Sequence, residues 1–202
     1  MVESYLRQSA LAHLGLLARA AHAPGEAQVT MAERQFRGIV NLRGKPQDDG
    51  FMAAFEGAFG FRLPVEPNTT WSNGDVTAFW LGPDEWWIVA PVDGPDTAAT
   101  LRQALEGRFC AVTDVSESRT CIAVAGPRAR DLLAKGCPLD LHPRVFRMGL
   151  CAQSHLAKAD IVLHQVGEEP VFDLYVLRSF AEYLWLWLED AAQEYGMAVA
   201  AD

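Results

Sequence analysis

Residues 112–143, VTDVSESRTCIAVAGPRARDLLAKGCPLDLHP, encode a strand pair, a glycine-proline break and a short helix in fixed order. Residues 112–116 and 120–125 alternate β-branched with small or polar side chains, the period of two that a strand requires. Gly126-Pro127 then opens a helix, because proline has no N–H to satisfy and its fixed φ suits a first turn. Leu132 and Leu133 are the buried ridge of that helix. It ends at Lys135-Gly136, a cation over the last carbonyls followed by the residue best able to turn left-handed, and Pro138 prevents continuation.

Working outward, residues 35–42 read as a strand closed by the turn Arg43-Gly44-Lys45-Pro46, and 51–59 as a short helix. Residues 63–74 hold Pro64, Pro67, Asn68 and Asn73-Gly74, which predicts a loop ending in a hairpin turn. Strands follow at 76–81 and 86–89 around Gly82-Pro83-Asp84-Glu85, then a helix over 97–105. The second half repeats this logic, with strands near 148–153, 159–166 and 171–177 and a terminal helix. Hairpins interspersed with single helices predict an α+β fold of mainly antiparallel sheets. The expected organisation is one compact unit over 1–202, with two related lobes at 29–110 and 111–202 and an N-terminal helix over 5–22.

That N-terminal helix must be told apart from a signal peptide, since residues 11–23 are apolar and end in Ala-His-Ala. His13, Arg19 and His22 interrupt the run, while Leu6, Ala10, Leu14, Leu17, Ala18 and Ala21 form a helical stripe, so an amphipathic helix stopped by Pro24-Gly25 is expected. No other run is long and apolar enough to span a bilayer, so no membrane partner is expected. Seventeen basic against 26 acidic residues give a net charge of −9, and no cluster of Lys and Arg could follow a phosphate backbone, which excludes nucleic acid as a partner. Cys110, Cys121, Cys137 and Cys151 stand singly, without metal or redox spacing, and suit small buried groups in a reducing, cytoplasmic setting.

Cofactor and catalytic motifs are missing. There is no G-x-G-x-x-G, since Gly50, Gly57 and Gly60 are too widely spaced, and no Walker lysine, so neither dinucleotide nor nucleoside triphosphate is expected. His142, His155 and His164 occur singly, with no His-Glu-x-x-His and no serine elbow. Metal sites are expected to be absent as well.

The order of strand, break and helix around Asp114-Val115-Ser116 and Gly126-Pro127 resembles the folate-binding module of the aminomethyltransferase family. The blocks Leu42-Arg43-Gly44, Leu63-Pro64, Leu81-Gly82-Pro83-Asp84-Glu85-Trp86, Asp114-Val115-Ser116, Pro138-Leu139-Asp140-Leu141-His142-Pro143 and Arg178-Ser179-Phe180-Ala181-Glu182-Tyr183-Leu184-Trp185 are more narrowly similar to the gamma subunits of heterotetrameric sarcosine oxidase. They span most of the chain. The resemblance implies an accessory, non-catalytic subunit of an enzyme that oxidatively demethylates sarcosine to glycine and passes the one-carbon unit to tetrahydrofolate. It implies alpha, beta and delta partner subunits that carry FAD, FMN, NAD and tetrahydrofolate, with no cofactor in this chain. Two alternatives stand beside it: the equivalent subunit of a complex acting on another N-methyl amino acid, such as N-methylglutamate, and a stand-alone folate-dependent aminomethyltransferase.

That last alternative would use Asp114, since in the aminomethyltransferase family the matching aspartate assists the folate-dependent reaction. The family usually has histidine after the serine, where this chain has Glu117, and its full members continue into a further domain beyond the position of Asp202. A carboxylate beside another carboxylate resists ionising, and a turn or capping hydrogen bond is the other reading of Asp114.

The chain instead offers aromatic surface. On strand 76–81, Val76, Ala78 and Trp80 oppose Thr77, Phe79 and Leu81, and Trp86 and Ile88 oppose Trp87 and Val89 on the next, so neither side of this hairpin is polar. In the last helix, Phe180, Tyr183, Leu184, Trp187, Leu188 and Ala191 make one apolar stripe, while Leu177, Ala181 and Trp185 make another. Trp80, Trp86, Trp87 and Trp185 are therefore interface candidates, with Trp185 expected to face a partner and Trp187 to lie in the chain's own core.

Overall fold

The computed structural model describes residues 7–21, 27–91, 94 and 96–201. In chain order its elements are α1 (Leu16–Ala20), β1 (Val29–Arg34), β2 (Arg37–Arg43), α2 (Asp49–Phe59), β3 (Thr70–Asn73), β4 (Val76–Gly82), β5 (Glu85–Pro91) and α3 (Thr97–Ala104). There follow β6 (Ala111–Asp114), β7 (Arg119–Ala125), α4 (Ala129–Ala134), β8 (Cys151–Leu156), β9 (Ala159–Gln165), β10 (Val171–Leu177), α5 (Arg178–Ala191) and β11 (Met197–Val199). This is the expected α+β fold of mainly antiparallel sheets.

The chain forms two compact units, one of residues 36–117 with 149–152, the other of the described residues in 1–35, 118–148 and 153–202. In the first, a five-stranded antiparallel sheet runs β3-β4-β5-β2-β6. Two helices pack together and complete its core, each started by an aspartate. Asp48 accepts a hydrogen bond from the Phe51 amide (3.1 Å) and Asp96 from the Ala99 amide (2.9 Å), satisfying N–H groups that the first helical turn leaves unpaired. Phe51, Phe55, Leu42, Trp86, Ile88 and Leu101 form the centre of the core. Each such side chain contributes about 1.5–3 kcal/mol by leaving water. The Trp86 indole N–H, which burial would otherwise orphan, donates to the Pro64 carbonyl at 2.7 Å.

In the second unit a six-stranded sheet runs β11-β1-β7-β10-β9-β8. β1 lies between β7, antiparallel, and β11, parallel. α5 packs on β7, β9 and β10 through Ala181, Leu184, Trp185 and Leu188, a spacing of three, four and seven residues that keeps one helical face inward. Two glycines are set by contact. At Gly126, φ is +109° and a Cβ would come within 2.5 Å of the Gln28 carbonyl oxygen, so no other residue fits between β7 and α4. Gly136 is not left-handed as expected. Its requirement is space, since a Cβ there would lie 2.6 Å from the Trp187 ring.

The expected lobes at 29–110 and 111–202 do not coincide with these units. Residues 29–34, which fall within the expected first lobe, form β1 and belong with the second half because its ladders run to β7 and β11. The strand expected over 35–42 starts at Arg37, after Phe36 takes a left-handed φ of 54° that breaks the extended run. β3 falls in the stretch read as loop, and β11 had no counterpart in the expectation. Of the helix expected over 5–22, residues 5, 6 and 22 lie outside the described residues. The rest is a short 3-10 turn at Ala12–Leu14 and α1, separated by Gly15 at φ +60°.

Candidate functional site

Asp114 closes β6, the edge strand that pairs with β2 through Val40. One of its carboxylate oxygens, Oδ1, accepts from the Ser116 amide (3.0 Å) and from the Ser116 hydroxyl (2.6 Å). The hydroxyl oxygen in turn accepts from the Ile39 amide at 2.9 Å. The Asp-x-Ser motif is thus an Asx turn that fastens the end of β6 to β2. The residue is exposed, in an open cleft of about 280 Å³ lined by Gly38, Thr97, Ser116 and a second carboxylate, Asp96. Among the described residues no lysine, arginine or histidine lines this cleft, so these residues offer no counter-charge to an anionic ligand such as a folate tail. Ser116 donates straight to a carboxylate rather than to an imidazole, which leaves it without the base of a serine nucleophile.

The other titratable groups are equally committed. His164 is buried, and burial, reinforced by the Arg34 charge, pushes its imidazole down to about 4, so it is neutral near pH 7. Burial pushes the Cys151 thiol up to about 12, far from the thiolate a nucleophile needs. All four cysteines are free thiols. Among the described residues no group of three His, Cys, Asp or Glu side chains could hold a metal ion. No helix among them is long and apolar enough to cross a membrane.

The aromatic candidates separate clearly. Trp86 and Trp185 are fully buried and Trp87 nearly so, which removes these three as contact surface in the folded chain. Trp80 is half-buried against the Phe51–Phe55 core. Neither Trp185 nor Trp187 lies as expected. Trp185 points inward with Ala181, Leu184 and Leu188, whereas Trp187 is half-buried over Gly136. The helix face left outward carries Phe180, 42% exposed, and Tyr183, 37% exposed, with Leu186 further round. The inward face lies between the two stripes read from sequence, taking residues from both.

One carboxylate was missed. Glu33 on β1 follows Val29 and Met31 in period two, in the phase that faces the core, and it is only 5% exposed. Its Oε1 accepts from the Thr120 hydroxyl at 2.8 Å, while Oε2 has no hydrogen-bond partner. Glu33 and Leu16 floor a cavity of about 200 Å³ whose rim is Leu17, Gln35 and Ala200. The signal was present in the V-T-M-A-E-R alternation, but this segment was not read as a strand.

Comparison with known proteins places these features. Residues 43–194 match the model of the sarcosine oxidase, gamma subunit family. The chain is 36% identical over 203 residues to the sarcosine oxidase gamma subunit of Corynebacterium sp. strain U-96, covering all of this chain and 98% of that one. It is 37% identical over 170 residues to the gamma subunit of Corynebacterium sp. strain P-1, covering 83% and 81%. A chain of the heterotetrameric sarcosine oxidase from Corynebacterium sp. U-96, solved in complex with pyrrole 2-carboxylate, superimposes with a TM-score of 0.84 at 34% identity, over 94% of this chain and 96% of that chain. The glycine cleavage system aminomethyltransferase T of Bartonella henselae shares the fold, with a TM-score of 0.64 at 17% identity, over 93% of this chain and 51% of that one.

Proposed function

Because this chain belongs to the sarcosine oxidase gamma subunit family, we propose that it is the accessory, non-catalytic subunit of a heterotetrameric oxidoreductase that demethylates sarcosine. Its partners in this reading are alpha, beta and delta subunits, which hold FAD, FMN, NAD and tetrahydrofolate, while this chain holds none. The enzyme works in the cytoplasm, apart from membrane and nucleic acid. The observation that carries the reading is similarity over nearly the whole of both chains to a gamma subunit, joined to a structural match to a chain of the heterotetramer. The geometry supports it. The aspartate in the position of the aminomethyltransferase acid is spent on a turn, and the described residues of its cleft include the carboxylates of Asp96 and Asp114 and no cation. The chain's contribution is to cover and register apolar surface on its partners, for which the outward Phe180 and Tyr183 of α5 and the half-buried Trp80 are available.

Purification of the complex through a tag on this chain tests the reading. Co-purification of three larger or smaller companions with flavin absorbance and sarcosine demethylation is expected, and the isolated chain should be colourless. A monomeric chain that binds tetrahydrofolate by itself, with affinity lost in Asp114→Asn, would overturn it in favour of the aminomethyltransferase. Higher turnover on N-methylglutamate than on sarcosine would move the subunit to the related complex.

A further inference from the structure

We infer that the cavity floored by Glu33 is a socket for a lysine side chain of a partner subunit; this rests on the subunit reading above. An ionised carboxylate taken out of water needs a counter-charge or a full set of donors. Glu33 has one donor, the Thr120 hydroxyl on Oε1, and its other oxygen is unpaired. No cation among the described residues forms an ion pair with it; Arg34, its neighbour in sequence, is on the other face of β1 and pairs with Asp173 at 2.9 Å. Among the described residues the group thus has no counter-charge, and the cavity leaves a way in to it.

The shape of that way in selects the occupant. Beside Glu33 it is lined by the aliphatic side chains of Leu16, almost fully buried, and Leu17, 69% exposed, with the polar Gln35. A lysine stem packs its methylenes along such walls while the ammonium reaches the floor. Arginine fits less well, because its planar fork is best matched by two carboxylate oxygens and one is already engaged by Thr120. The terminal torsion of a glutamate is soft, so Oε2 can turn toward the cavity without moving the strand. A chain of net charge −9 also draws a basic side chain toward it.

The test compares assembly of the intact chain with its co-expressed partner subunits for wild type, Glu33→Gln and Leu17→Ser. Glu33→Gln keeps an acceptor for Thr120 and removes the charge. It should weaken assembly roughly tenfold or more, the size expected when a desolvated charge pair is broken, and reduce the salt dependence of assembly. The thermal midpoint of the isolated variant should be equal to or above that of wild type, since an unpaired buried charge has gone. Leu17→Ser, at an exposed position, should weaken assembly several-fold without altering that midpoint. Wild-type affinity in both variants overturns the socket and leaves the subunit reading intact. A Glu33→Gln chain whose thermal midpoint falls in step with its assembly makes Glu33 an internal framework residue and also overturns the socket. If the wild-type chain assembles with no partner, the subunit reading fails and the socket with it.

Discussion

Asp114 and the interior of the six-stranded sheet treat polar groups in opposite ways. Asp114 is exposed at the edge of the five-stranded sheet, and its Oδ1 is saturated by Ser116. Glu33, His164 and Asp173 are buried, Glu33 with an unpaired oxygen and His164 held neutral beside Arg34. The residue with a family resemblance to catalytic chemistry is therefore the exposed, hydrogen-bonded one, whereas the carboxylate with an oxygen left over among the described residues is the buried Glu33; Asp173, on the other face of the sheet, is paired with Arg34. A hydrogen-bonded carboxylate in water is a turn element, while a buried one without its counter-charge is costly to the isolated fold.

The largest expected effect tests whether that interior belongs to the chain alone. Trp185→Ala should lower the stability of the isolated chain by about 3–5 kcal/mol, the range for deleting a fully buried aromatic, as measured by denaturant titration. Unchanged stability combined with lost assembly would instead return Trp185 to the surface and break the contrast. Trp187→Ala should cost less, because the ring is half-buried, although it uncovers Gly136.

A pH titration sharpens the comparison at His164. Its folded value, lowered to about 4 from 6.5, means that the unfolded chain binds the extra proton first. Stability is therefore present above the unfolded value and is lost as pH falls through that window, with a limiting slope of about 1.4 kcal/mol per pH unit for one proton. His164→Gln should flatten this part of the stability profile. An unchanged slope would show that the imidazole is solvated in the folded chain.

The smallest effect is expected at the exposed site. Asp114→Asn keeps an acceptor for the Ser116 amide and should change stability by no more than about 1 kcal/mol. Turnover of the assembled enzyme should remain near wild type. A fall of about 10²-fold with assembly intact is the size of a lost acid-base group and would make the exposed carboxylate the functional one.

Much of the fold could be read locally. β10 matches its expected span, α3 begins at Thr97 as expected, α2 begins two residues ahead of its expected start, and the Gly126-Pro127 break separates β7 from α4 as expected. These features depend on neighbours in sequence, where turn chemistry and alternation act directly. Some local expectations failed, as at Gly15, Phe36 and Gly136, but the larger failures were non-local. β1 and β11 are short segments whose strand character comes from pairing with strands 87 to 168 residues away in the chain, and the division of the chain follows those ladders. The face of α5 was misjudged for a related reason. A helix apolar most of the way round does not say which side meets the sheet: Trp185 lies inside and Trp187 only half-buried.

By itself the sequence determined the α+β class, the family resemblance and the Gly126-Pro127 break before α4, because each is written in residues close together in the chain. Only the tertiary structure decided that Asp114 spends its carboxylate on a turn, that three of the tryptophans are interior, and that Glu33 lies buried with an oxygen to spare. Those outcomes depend on burial and on partners brought from distant strands, and a side chain's electrostatic cost is set by the neighbours that folding supplies.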